Sequence, residues 1–370
     1  MDDTIEYDAI LVDTSIFDGN GLRLERGLLG KLSQFKNRPI DYILPDVIKN
    51  EVTAHIDKKI ASARAALEKS LNDATDHLFF DGSVLNGLKD MLVSKDEIAG
   101  LGQSRVAAFI ENTGALVLNS ENFVGVSKVL EMYFANEAPF AISGKKKFEF
   151  PDAIALLAVE DWANQNGKNV LAVAKDSDWK AYCHESKRIT YTEDLAQGLA
   201  YFNQRQAPHD FVSRLSKAIE SDKAVLFLNV LKGLLEGILN SATVDQEAES
   251  QFYWEPDGAD VWLDEFEIHD EIFQVVDEGE NWVSFEFYAT ITMEGEGDFS
   301  LAMYDSIDKD YVPMGGVTVR AKQTFESPLL ISVSGDLQGK IDEISVDEVE
   351  VLEGFGSMDF GTLELDSGPD

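Results

Sequence analysis

The sequence predicts an α/β domain built on a parallel sheet, then a helical connector, then an antiparallel β-sandwich or barrel. Short apolar segments alternate with helical patterns over the first two hundred residues, apolar residues recur at helical spacing over 208–242, and from about residue 250 the pattern becomes an alternation of apolar and polar side chains. At 370 residues and 44% hydrophobic content the chain exceeds a usual single domain and can bury a sizeable core. The boundaries read as 1–205, 206–243 and 244–370.

In the first part, residues 9–12, 42–44, 115–118 and 170–174 are short, nearly continuous apolar runs, as strands covered on both faces are. Between the second and third, residues 46–78 read as one long helix, with Ile48, Val52 and Ile56 at spacing four. A further helix over about 152–164 should stop at the Asn166-Gly167 turn, before the strand NVLAVA. Strands separated by helices give a three-layer α/β domain. Residues 208–242 read as one or two amphipathic helices whose dense Val, Leu and Phe run at 225–238 should pack on a neighbour, either the first domain or a second copy of the chain. In the last part Val283, Phe285, Phe287 and Ala289 fall on one side of a strand and Trp282, Ser284, Glu286 and Tyr288 on the other, with Gly, Asp and Pro turns between such segments.

Charge is uneven. Residues 1–250 carry 38 acidic and 27 basic side chains, and residues 251–370 carry 30 and 4, so most of the net charge of −37 belongs to the second part. That balance argues against a large basic groove for nucleic acid, though not against a local basic patch. A single cysteine, Cys183, excludes an internal disulfide and a Cys-rich zinc cluster, which suits a reducing cytosol; it reads as a small buried residue rather than a reactive thiol. The acidic start MDDTIEYDAILVD lacks the form of a signal peptide and no stretch approaches a membrane span, so the expectation is a soluble, cytoplasmic protein.

Several acids sit where strands meet helices. Asp13 ends the first strand and is followed by Thr14 and Ser15; alone, it reads most simply as a helix N-cap, yet the carboxyl edge of an open α/β sheet is also where ligands bind. Glu51 lies beside the buried stripe of its helix, where a carboxylate loses solvation unless a cation or donors meet it, and His55 follows at spacing four. Asp152, after Pro151, is equally a helix-start acid. Asp176 and Asp178 follow the fourth strand, where Asx turns are the ordinary reading. Converging carboxylates repel and raise one another's pKa unless a divalent cation is bound, and an oxygen-only set suits Mg²⁺ or Mn²⁺ rather than zinc.

The strand-DTSIF segment at Asp13, the helical Glu51, the PDA motif at Asp152 and the strand-KDSD segment at Asp176 resemble, in type, order and spacing, the acidic signature of PIN domains over roughly residues 7–203. The long helical insertion is more similar to the larger bacterial members than to the compact toxin type. The resemblance implies that Asp13, Glu51, Asp152 and Asp176 are the catalytic, metal-binding acids, with Asp178 auxiliary, and that Mg²⁺ or Mn²⁺ supports cleavage of single-stranded RNA and sometimes of DNA. It implies, by analogy alone, a role as a toxin or in defence against foreign nucleic acid.

Metal-activated water then makes a histidine base unnecessary. Lys145, Lys146 and Lys147 form the one basic cluster, expected either to guide a phosphate backbone or to be a solvated loop; Lys175 beside Asp176, with Ser15 and Asn20 near Asp13, completes the expected substrate-binding set. In residues 250–370 no nucleophile or ligand pattern appears. Trp254, Trp262 and Trp282 read as core, and the acids as a solvated exterior, a surface for a basic protein partner, or a mask over the nuclease pocket. The competing functions are a DNA nuclease and a non-catalytic module on the same fold.

Overall fold

The computed structural model describes residues 7–78, 87, 100–140, 149–269, 273–307, 309–354 and 356–365. The chain forms two compact units, Met1–Phe202 and Asn203–Asp370.

In the first unit, β1 (Ala9–Val12) leads into α1 (Thr14–Gly19) and α2 (Gly27–Lys31); β2 (Asp41–Pro45) leads into α3 (Asp46–Leu78); α4 (Leu101–Thr113), β3 (Leu116–Leu118) and α5 (Val126–Ala135) follow; then come α6 (Phe150–Asn166), β4 (Val170–Val173), α7 (Ser177–Glu185), β5 (Ile189–Thr192) and α8 (Leu195–Ala200). The five strands are all parallel, in the order β3-β2-β1-β4-β5. β1 and β4 are buried at every position because helices cover both faces of the sheet, which is why both read as unbroken apolar runs. Their adjacency matters most for function. Successive strands run outward from β1 on one side and from β4 on the other, so the crevice between their carboxyl ends is the topological switch point of the sheet.

The helices behave as their sequences demand. In α3, Ile48, Val52 and Ile56 are at most 2% exposed and hold its first three turns against the domain. α6 starts with Pro151 in its first turn, where a missing N–H costs nothing, and ends at Gly167, whose φ of 67° is the left-handed cap that glycine adopts without strain. β5 was not foreseen. Its sequence, ITYT, is half polar and only partly buried, as an edge strand allows, so it lacks the apolar run that marks the other four.

The second unit holds α9 (Gln206–Glu220), α10 (Val225–Asn240), β6 (Asp245–Glu249), β7 (Tyr253–Ile268), β8 (Gln274–Glu278), the long β9 (Trp282–Asp305) and β10 (Asp310–Ser334), β11 (Ser345–Val351) and β12 (Ser357–Thr362). β7 to β11 make one antiparallel sheet, and β6 pairs with β12 in a small parallel ladder. The layer closing the sheet's inner face is largely helical. Phe211, Val212 and Leu215 of α9 and Phe227, Leu231, Leu235 and Leu239 of α10 share one core with Phe285, Phe287, Ile291 and Phe299 of β9, so residues 206–243 belong to this core. Two glycines let the ladder approach closely: a Cβ on Gly295 would stand 2.6 Å from Met358 Sδ, and one on Gly297 2.8 Å from the Phe360 ring.

Phenylalanines rather than tryptophans fill this core. Trp254 packs against its edge, but Trp262 lies under Arg320 on the outer face, the guanidinium 6.0 Å from the ring centroid, and Trp282 is 38% exposed. On that outer face acids alternate with their partners: Arg320 Nε donates to Glu296 at 2.6 Å, Lys322 Nζ to Asp264 at 2.8 Å and Thr318 Oγ1 to Asp298 at 2.5 Å. No helix among the described residues is long and apolar enough to cross a membrane.

Candidate active site at the carboxyl edge of the parallel sheet

Asp13 leaves β1 while its own N–H still continues the ladder to Val173 O of β4 at 2.9 Å. It is both N-cap and buried acid. Its Oδ2 accepts from Ser15 N at 3.0 Å and Ser15 Oγ at 2.5 Å, and only 5% of the residue is exposed. Ser15 Oγ in turn accepts from the backbone N–H of Lys175 at 3.0 Å, so this hydroxyl ties the exit of β1 to the exit of β4. Burial pushes the Asp13 carboxyl up to about 6; the Ser15 hydrogen bonds oppose the rise and the nearby Asp152 charge adds to it.

Glu51 comes from the second turn of α3. Thr14 Oγ1 donates to its Oε2 at 2.9 Å, and burial raises its pKa, with the Asp152 charge adding to the rise. His55 pairs at 3.0 Å with Asp18 of α1 instead of with Glu51, which it influences through charge alone. Asp152 sits in the first turn of α6, where the fully buried Trp179 of α7 donates its indole N–H to Asp152 Oδ1 at 3.1 Å. Its pKa rises to about 7, first through burial, then through a hydrogen bond with Glu149 and the charges of Glu149 and Asp176. Asp176 is the N-cap of α7 and accepts from the backbone N–H of Asp178 at 2.7 Å.

The structure therefore brings Asp13, Glu51 and Asp176 each within electrostatic range of Asp152, from four parts of the fold, with Asp178 on the first turn beyond Asp176. Lys175 is exposed and its ammonium lies against Gly19. Asn20 caps α1, donating Nδ2 to Ile16 O at 2.9 Å. Lys145, Lys146 and Lys147 lie outside the described residues. Cys183 is buried and its thiol is pushed up to about 12, the state of an inert side chain.

Three participants were missed by the sequence reading. Glu149 precedes Asp152 by three residues, a spacing that places both at one helix start, and it is the part most open to recognition. Thr14 and Trp179 adjoin or follow the flagged acids directly, yet their partners lie 37 and 27 residues away, a relation that no local pattern carries.

The donor set is oxygen-only, and burial, with the neighbouring acid charges adding to it, raises the pKa of Asp13, Glu51 and Asp152. Such a set fits a hard divalent ion. Among the described residues, no three His, Cys, Asp or Glu side chains group closely enough to enclose an ion.

Residues 10–179 match the family model of the PIN domain, and the C-terminal region is assigned to no family. No curated protein and no solved structure matches the chain. The five-stranded parallel sheet flanked by helices, the acids near its switch point and the family match all fall on one stretch, so the parallel-sheet domain is similar to PIN domains, a family whose members are generally nucleases.

Proposed function

We propose that this chain is a Mg²⁺- or Mn²⁺-dependent endoribonuclease that hydrolyses phosphodiester bonds of single-stranded RNA. The observation that supports this reading best is the pair of raised carboxyl pKa values, about 6 for Asp13 and about 7 for Asp152, at adjoining junctions of the sheet edge. Keeping charged groups together at neutral pH costs free energy, and a divalent cation offsets it.

Asp13, Glu51, Asp152 and Asp176 would hold the ion, with Asp178 as an auxiliary ligand. When bound, it would lower the pKa of a water and stabilise the departing oxygen. The chain's own side chains orient the acids: Ser15 fixes Asp13, Thr14 fixes Glu51 and Trp179 fixes Asp152. Such outer hydrogen bonds set which lone pairs a carboxylate presents. Lys175, exposed beside Asp176, would meet a phosphate. A role as a toxin or defence effector extends the reading by family analogy alone.

The test is incubation of the full chain with end-labelled single-stranded RNA and DNA of matched sequence, with Mn²⁺, Mg²⁺ or EDTA, beside Asp13→Asn and Asp152→Asn. Metal-dependent RNA cleavage lost in both variants is expected. Faster cleavage of the DNA would make the chain a DNA nuclease, and undiminished cleavage by both variants would remove the site.

A further inference from the structure

The long β9–β10 hairpin carries an aromatic patch at its far end that the nuclease site does not use. Tyr304 and Tyr311 are direct cross-strand partners, and Tyr253 of β7 joins them on the same face. The Tyr253 and Tyr311 rings are 4.6 Å apart and those of Tyr304 and Tyr311 5.4 Å. All three are about half exposed, at 48%, 54% and 49%, and the turn beside them presents Ile307 at 87%. On the opposite face of the same two strands, Met303 and Val312 are exposed as well. A soluble protein gathers this much aromatic and apolar surface at one place chiefly where something docks.

The chemistry of the occupant is written on the same face nearer the core. There Trp262 lies under Arg320, Glu296 accepts from that guanidinium, and Asp264 accepts from Lys322: aromatic, acid and cation together. Toward the tip the aromatics and acids recur. On the tyrosine face Glu255 accepts from Tyr253 Oη at 3.0 Å and Asp257 from Ser300 Oγ at 2.6 Å; Asp305 and Asp310, each next in sequence to a tyrosine of the patch, border it from the other face and accept from nearby backbone N–H groups. Among the described residues no Lys, Arg or His forms an ion pair with any of these four acids.

We propose that the tip of the β9–β10 hairpin docks a cationic protein segment, whose Arg or Lys side chains stack on the Tyr253–Tyr304–Tyr311 surface and pair with the surrounding acids. Guanidinium on tyrosine is a favourable cation–π contact, and a bordering carboxylate strengthens it. Nucleic acid and anionic membrane are the wrong charge for this surface.

The test uses the full chain and a fluorescein-labelled nona-arginine peptide as probe, read by fluorescence anisotropy in 150 mM NaCl. Tyr304→Ser with Tyr311→Ser is expected to weaken binding at least fivefold, and Asp305→Asn with Asp310→Asn to do the same. Asp347→Asn with Glu348→Gln, an equal loss of charge on β11, should change it less than twofold; circular dichroism confirms that all variants fold. Equal binding by all variants, equal weakening by the β11 pair, or no binding by the wild-type chain overturns the proposal. So does a matched single-stranded RNA binding the tip in the tyrosine-dependent way, or tyrosine-dependent self-association of the chain without peptide.

Discussion

Acids behave in opposite ways in the two units. On the outer face of β7, β9 and β10, Glu296 and Asp264 are partly exposed and meet Arg320 and Lys322 across the strands. At the edge of the parallel sheet the buried Asp13 and the half-buried Asp152 lie near other acids, and burial drives their pKa values upward. Identical side chains are a soluble exterior in one place and a source of free energy for binding in the other. Acid content alone is therefore a poor guide: the candidate site lies in the less acidic part, and among the described residues the region with 30 acids forms no metal-holding group. Burial and the nearness of other acids make the difference.

Substitutions sharpen this contrast. The largest effect is expected from Asp152→Asn, which should reduce RNA cleavage by roughly a thousandfold or more, as loss of a metal-holding acid does. Glu296→Gln should leave the cleavage rate unchanged within a factor of about two. Equal losses in gel-based cleavage assays would abolish the distinction between the two sets of acids.

The same Asp152→Asn change should stabilise the metal-free protein. The folded-state pKa is raised, so the ionised form is penalised above about 7, and the penalty fades as pH falls through that value toward the unfolded one. In EDTA at pH 8 the variant should gain on the order of 1–3 kcal/mol over wild type, and at pH 5 most of the gain should vanish. Urea unfolding at the two pH values measures it, and a variant less stable than wild type at pH 8 would mean that the acids are not in mutual repulsion. Mn²⁺ should raise the wild-type melting temperature and leave that of Asp152→Asn nearly unchanged.

Trp179→Phe keeps an aromatic ring in a fully buried position and removes only the indole N–H that Asp152 accepts. Mn²⁺ affinity, measured by titration calorimetry, should fall about tenfold. The smallest effect belongs to Arg320→Ala on the exposed ladder, which should move the thermal midpoint by no more than about 1 °C. A larger shift would show that the outer face of the sheet is held together by its ion pairs.

Much of this was legible in the chain. Three of the five parallel strands, β1, β2 and β4, announce themselves as apolar runs because burial on both faces leaves no polar alternation; the edge strand β3 is apolar too although Leu116 is exposed, and the first turns of α3 were marked by their stripe. β5 was not legible, since an edge strand carries a mixed ITYT sequence. The acids were visible one by one, each with an ordinary explanation as a cap or turn residue. Asp13 and Asp176 do cap their helices, and Asp13 also lies buried within range of Asp152, so a capping role does not keep an acid from the candidate site.

Composition and periodicity by themselves determined the two kinds of sheet, four of the five parallel strands and the acids to watch, because backbone geometry imposes local periods on burial. Only the tertiary structure decided which acids share an environment, that Thr14 and Trp179 orient two of them, that residues 206–243 complete the second core, and that Trp262 lies outside the core beneath Arg320. Pairing of strands that are distant in sequence sets these relations, and no local pattern records which residues a crossover will bring face to face.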